Sequence, residues 1–258
     1  MRLQGALLAV GALAAALLLA CGEGGGGKAT PTEAPTATQE QACALPPGAP
    51  SGPSAGNLFG NPSFEEGAAP WISLQTEAWG KPFSVSQRQA RTGESSAYLE
   101  LRSVEGGETK VYGVVQELSP PEFPEVIAGN YCVTRWEKGT EKQYLQFVVI
   151  ALDASNIPPE VTATNYQIRY ILAGVAEQPT NIANARYVMV SQEPPKVGEW
   201  VHFERNVRQD FQELWGAAPV DYSLLRLLFE ARWDERAPGD PPSVADVYYD
   251  DMYLGPGG

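Results

Sequence analysis

Four acidic residues stand out for type and spacing: Glu65 and Glu66 near one end of the folding part of the chain, Asp250 and Asp251 near the other. Each pair sits in a short apolar pattern, NPSFEEGAAPW (Asn61 to Trp71) and VYYDDMYLG (Val247 to Gly255). A hard cation such as calcium takes several oxygen ligands, and carboxylates from a first and a last strand lying side by side could share one. The plain alternative is two solvated acidic pairs at strand ends. A second polar set runs along LLRLLFEARW, Leu224 to Trp233. Leu225, Leu227 and Phe229 fit a core face there, so Arg226, Glu230 and Arg232 point outward by the two-residue period of a strand.

Nothing in the chain points to catalysis. His202 is the single histidine and alternates with apolar neighbours in WVHFERN. GESSA (Gly93 to Ala97) misses the last glycine of a nucleophile elbow and lies in the wrong strand context. No zinc-protease, phosphate-loop or dinucleotide motif is present. A glycosidase needs two suitably separated carboxylates, and 31 acidic residues supply pairs by chance alone.

The elements that must position these residues read as strands. AYLELR, VYGVVQEL, NYCVTRW, QYLQFVVIAL, YQIRYILAG, ARYVMVSQ, WVHFERNV, LLRLLFEARW and VYYDDMYL alternate apolar and polar positions between Gly, Pro and Asn clusters. This many strands predict an all-β jelly-roll β-sandwich rather than a parallel α/β sheet. The pattern predicts one short helix over residues 208–215, capped by Asp210, with Phe211, Leu214 and Trp215 on one side. Between Asn156 and Lys196 an inserted hairpin is expected, YQIRYILAG turning through VAEQPTNIAN into ARYVMVSQ.

Residues 1–20 read as a processing signal: Arg2, an apolar run and then LLAC ending at Cys21. This resembles a bacterial lipobox, which would make Cys21 a lipidation site and the protein exported, membrane-anchored without spanning. An ordinary secretory signal is the alternative. Residues 21–56 form a Gly-, Pro- and Thr-rich tether with too few large apolar side chains to offset ordering entropy. Residues 57–258, about 200 in all, suffice for one well-buried domain. Cys43 and Cys132 could form a disulfide stapling the tail to that domain, or Cys132 could lie buried beside an idle Cys43. The net charge of −13 argues against nucleic acid and anionic lipid headgroups as partners.

Several segments in order resemble one family. N-x-x-FE-x-G...W opens it (Asn61 to Trp71), then ARTGESSAYLELR, VYGVVQEL, AGNYCVTRWEKG and VGEWVHFERNV follow, and VYYDD closes it. Over roughly residues 57–256 this is similar to the carbohydrate-binding modules of cellulases and xylanases, the galactose-binding-like jelly-roll group of types four, nine and twenty-two. The resemblance implies structural calcium bound by Glu65, Asp250 and backbone oxygens near Ser63 and Ser96. It also implies a glycan cleft on the outer face of one sheet. By the family pattern Tyr131 and Val133 are buried, so Cys132, Thr134 and Trp136 face outward. The cleft expected from it comprises Tyr112, Thr134, Trp136, Arg226 and Glu230, with Leu74 at one end. Trp79, Trp215 and Trp233 lie in or near predicted loops, and Trp233 is the best further sugar platform of these. Arg226 and Glu230 stand where glucan binders prefer amides, and Leu74 where an aromatic would stack. One bland reading makes Arg226 and Glu230 a surface ion pair and covers Trp136 with the 156–196 insertion. The function expected is a monomeric, lipid-anchored protein that retains poly- or oligosaccharide at the cell envelope. A non-catalytic scaffold or protein-interaction module is the alternative, and a glycoside hydrolase the third choice.

Overall fold

A computed structural model describes residues 41–48, 55–74, 80–103 and 110–257. Two sheets form within this part of the chain. The first comprises β1 (Ile72–Ser73), β5 (Lys110–Leu118), β11 (Leu224–Trp233), β7 (Gln143–Leu152), β8 (Asn165–Ala173) and β9 (Ala185–Met189) in that order, with β2 (Gly80–Lys81) beside β5. The second orders β10 (Trp200–Asn206), β6 (Val126–Glu137), β12 (Val244–Gly255), β4 (Ser96–Arg102) and β3 (Ser84–Ser86). Most pairings are antiparallel, and non-sequential strands lie side by side throughout, so the chain crosses repeatedly between sheets. The fold is an all-β sandwich of jelly-roll type.

Alternation decides which residues fill it. Leu225, Leu227, Phe229, Ala231 and Trp233 of β11 share one core with Tyr131 and Val133 of β6 and Val247 and Tyr249 of β12. Phe229 lies 5.8 Å from the Tyr249 ring, and Phe147 stacks on Tyr170 at 4.3 Å. Each such fully buried ring contributes roughly 1.5–3 kcal/mol through removal of apolar area from water.

Two local expectations need correction. β8 and β9 pair in parallel, Gln167 opposite Ala185 through Ile171 opposite Met189, so they are not a hairpin. The connection after Gly174 is long enough to return along the sheet before β9 begins, which a tight turn could not do. The helix α1 spans Val207–Trp215, and its cap is Asn206, whose side chain accepts the Gln209 N–H at 2.9 Å. Asp210 instead pairs with Arg205 at 2.7 Å. Phe211 and Trp215 are buried, whereas Leu214 is exposed.

The outer face of the five-stranded sheet is covered. Tyr98, Cys132, Trp200 and Tyr248 cluster there, and Cys43 packs on them. Cys43 and Cys132 are joined by a disulfide. The segment carrying Cys43 is also held by backbone bonds, Ala44 N–H to Gly198 O at 2.8 Å and Trp200 N–H to Ala44 O at 2.9 Å. Among the described residues, the outer face of the other sheet stays open along β11.

Candidate functional site

That open face carries a groove of about 610 Å³. Its axis is β11, from which Arg226, Leu228, Glu230 and Arg232 project outward, opposite in phase to the core leucines. Strand register sets their neighbours. Glu117 of β5 and Ile150 of β7 flank Arg226, Val115 and Val148 flank Leu228, and Gly113 and Gln146 flank Glu230. β8 adds Gln167 beside Ile150 and Arg169 beside Val148. Val115, Val148 and Leu228 form an apolar strip with Leu74 and Ile150 packed against it.

The polar groups on either side of the strip are held in fixed orientations. Arg226 sets two nitrogens on one oxygen of Glu117, Nε at 2.7 Å and Nη2 at 2.6 Å from Oε1. Glu230 is buried and accepts a hydrogen bond from Gln146 Nε2, and Arg232 Nη1 stands 3.5 Å from it. Arg232 is itself anchored by Asp234 at 2.7 Å. Leu74 closes one end, its N–H donating to Gly113 O at 3.1 Å. Gly113 allows this approach, because a Cβ there would stand 3.2 Å from the Leu74 Cβ.

Of the residues expected in the cleft, Arg226, Glu230 and Leu74 come together here, and four do not. Tyr112 faces inward with Val114, its hydroxyl donating to Arg102 O at 2.9 Å. Both phases of VYGVVQEL are apolar, so alternation offered no choice between them. Trp233 lies in β11 rather than a loop and is buried in phase with Phe229, 6.2 Å from the Tyr112 ring. Thr134 and Trp136 belong to β6, in the other sheet. A bulge there pairs Asp246 with Arg135 but Val247 with Val133, so the alternation shifts by one at Thr134. Trp136 consequently sits opposite core-facing Ala245 and packs against the core beside Gly174. Trp215 packs edge-on against Tyr166 at 5.4 Å, while Trp79 and Cys21 lie outside the described residues. Arg226 pairs across strands with Glu117 and not along its own strand with Glu230. Glu117, Gln167 and Arg169 escaped the sequence reading. YQIRYILAG marks the last two as outward by alternation, but not which sheet they join.

The acidic bookends do meet, around the loop before β4. Glu65 accepts the N–H groups of Glu94 and Ser95 at 3.1 and 2.9 Å. Gly93 makes room for it, since a Cβ at that position would fall 2.4 Å from Glu65 Oε1. Asp250 accepts the N–H groups of Arg91, Thr92 and Asp251 at 2.7, 3.3 and 2.7 Å. Burial, with the neighbouring Asp251 charge second, pushes the Asp250 carboxyl up to about 8. Asp251 takes Ser63 Oγ at 2.7 Å, Thr92 Oγ1 at 2.6 Å and the Arg91 guanidinium at 2.6 Å. Ser96 Oγ donates to Gln89 O at 2.6 Å.

As arranged, the side-chain oxygens of Glu65 and Asp250 are already met by donors of the protein. N–H groups point at the very carboxylate oxygens a cation would use, and Arg91 brings the positive charge. Among the described residues no group of three or more His, Cys, Asp or Glu side chains is placed to hold a metal. Chelation of divalent cations should therefore leave the thermal midpoint within about 1 °C of its starting value, by the linkage between ligand binding and stability. A fall of about 5 °C or more on chelation, reversed by calcium, would put an ion at Glu65 and Asp250.

No protein-family model matches the chain, and no curated protein matches it in sequence. Among solved structures it is similar to TmCBM61 in complex with β-1,4-galactotriose, at 14% identity and a TM-score of 0.38, covering 77% of this chain and 97% of that one. It is also similar to CBM28, a carbohydrate-binding module specific for non-crystalline cellulose, at 11% identity and 0.39, covering 79% and 97%. The enzymatically active domain of bacteriophage CBA120 tailspike protein 4 aligns at 11% identity and 0.39, over 77% of this chain and 21% of that one. These scores are low, and the functional reading rests on the groove's own residues.

Proposed function

We propose that this is a non-catalytic carbohydrate-binding protein that holds poly- or oligosaccharide along the outer face of its seven-stranded sheet. One observation carries the reading: an apolar strip, Val115, Leu228 and Val148, runs between oriented planar groups, Arg226 with Glu117 on one side and Glu230 with Arg232 on the other. A sugar chain has the complementary pattern of apolar C–H faces and hydroxyl edges, and oriented donors and acceptors beside an apolar surface set specificity. The resemblance of the NPSFEEG to VYYDD segments to glycan-binding modules supports the same reading. With LLAC at Cys21 as a lipidation site, the protein would be exported and anchored, keeping glycan at the cell envelope.

A glycan array probed with the full-length protein in detergent tests this, with Arg226→Ala beside it. The Arg226–Glu117 pair is substantially exposed, with side-chain exposures of 41% and 35%, so its loss should cost stability little. Affinity should fall about tenfold or more, because a charge-assisted contact to the glycan is lost. The reading fails if no glycan is retained, or if Arg226→Ala binds as the parent does. The apolar strip on the groove's floor is also a surface that a protein partner could cover. A blank array therefore transfers the face to the scaffold reading.

A further inference from the structure

The charges in the groove narrow the class of glycan. Three arginines line it, Arg169, Arg226 and Arg232, against two glutamates, Glu117 and Glu230, in a chain whose net charge is −13. With Asp234 beside Arg232 counted, three arginines meet three carboxylates, so the groove is neutral on an acidic protein. Two of the arginines are neutralised within the protein: Arg226 by Glu117 at 2.6 Å, and Arg232 by Asp234 at 2.7 Å and Glu230 at 3.5 Å.

Arg169 differs. Among the described residues no carboxylate lies within ion-pairing distance of it. Its partners are neutral: Nε donates to Gln167 Oε1 at 3.0 Å and Nη1 to the Tyr187 hydroxyl at 3.3 Å. The guanidinium lies 5.7 Å from the centroid of the Tyr187 ring. Gln167 comes from the same face of β8, two residues away, and Tyr187 from β9, where it is in register with Arg169. The side chain is half-buried, oriented by amide and phenol, and keeps its charge and further N–H donors for something else. A partly desolvated cation is costly unless an anion reaches it, and a planar carboxylate matches the guanidinium fork.

We propose that the ligand is an acidic polysaccharide, a uronate polymer, and that Arg169 receives the carboxylate of one sugar unit while its ring lies over Val148 and Leu228. This rests on the glycan reading above. Repulsion from the rest of the chain does not oppose it at contact range, because exposed charges are screened over about 8 Å at physiological salt.

The test uses the full-length protein in detergent, titrated with galacturonate, glucuronate and mannuronate polymers, each beside its methyl ester. Esterification removes the charge and leaves the backbone of the polymer unchanged. At least one free acid should bind about tenfold or more tighter than its ester, the scale of one charge-assisted hydrogen-bonded pair. Arg169→Gln should erase that preference by lowering free-acid affinity about tenfold or more toward that of the ester, and the thermal midpoint should stay within about 2 °C, since no ion pair within the protein is broken. Equal affinity for acid and ester, or a preference that survives Arg169→Gln, overturns the inference. Binding confined to neutral glycans also overturns it while leaving the glycan reading intact. Binding to no glycan, acidic or neutral, removes both.

Discussion

Arg91→Ala should lower the thermal midpoint by about 10 °C. The Arg91 and Asp251 side chains are 3% and 1% exposed and stand 2.6 Å apart. Removing one partner of a buried pair leaves the other charged and desolvated, which costs about 3–5 kcal/mol. For a domain of this size each kcal/mol moves the midpoint by about 2–4 °C. The loss also spreads through the chain. Asp251 holds Ser63 of the opening segment and Thr92 of the loop before β4, while Asp250 beside it holds the backbone of that same loop. The cluster thus ties the start of the domain to its last strand, the task a bound cation would otherwise perform. Asp251→Asn should cost less than Arg91→Ala, because an amide can still accept from Ser63 or Thr92. The double variant should be more stable than the two single losses sum to, a coupling that a mutant cycle reads directly. A midpoint drop under about 2 °C for Arg91→Ala would mean that the pair contributes no more than an exposed one.

The parts of this site that were legible in the sequence are those where the two faces of a strand differ in chemistry. LLRLLFEARW sorts into leucines and phenylalanine inside and Arg226, Glu230 and Arg232 outside, and the structure keeps that sorting. VYGVVQEL offers apolar residues on both faces, so alternation cannot check the family pattern that puts Tyr112 in the cleft, and the ring lies in the core. The bulge at Thr134 leaves no local mark in NYCVTRWE, yet it turns Trp136 from the outer face to the core. Sheet membership is a non-local property as well. Thr134 and Arg226 are alike in their strand patterns, and only the crossing of the chain between layers separates them. The same crossing brings β8 into the groove's sheet and with it Gln167 and Arg169.

Removing the Cys43–Cys132 disulfide should lower the thermal midpoint by about 5–12 °C, yet leave the groove as it was. The bridge joins residues 89 apart in sequence. Closing a loop of that length restricts the unfolded chain by about 4–5 kcal/mol in the entropy model, with about 2–4 kcal/mol more typical. The segment it anchors contributes little by itself: two backbone bonds to Gly198 and Trp200 and one from the Cys43 N–H to Gln89. Once the bridge is opened, the segment should detach from the outer face of the five-stranded sheet. Trp200, now 2% exposed, and the Tyr98–Tyr248 stack at 4.8 Å would then meet water. Hydrogen exchange at the Ala44 and Trp200 amides should accelerate, and so should acrylamide quenching of tryptophan. Cys43→Ala is the cleaner variant, because it removes the bridge without changing any side chain of the sheet. Glycan affinity should change less than about twofold, since sites that share no partners behave additively. A loss of binding in step with the loss of the bridge would mean that the two outer faces are coupled through the core. An unchanged midpoint, with reduction verified by mass, would mean that the segment is held by its packing on Trp200 rather than by the covalent link.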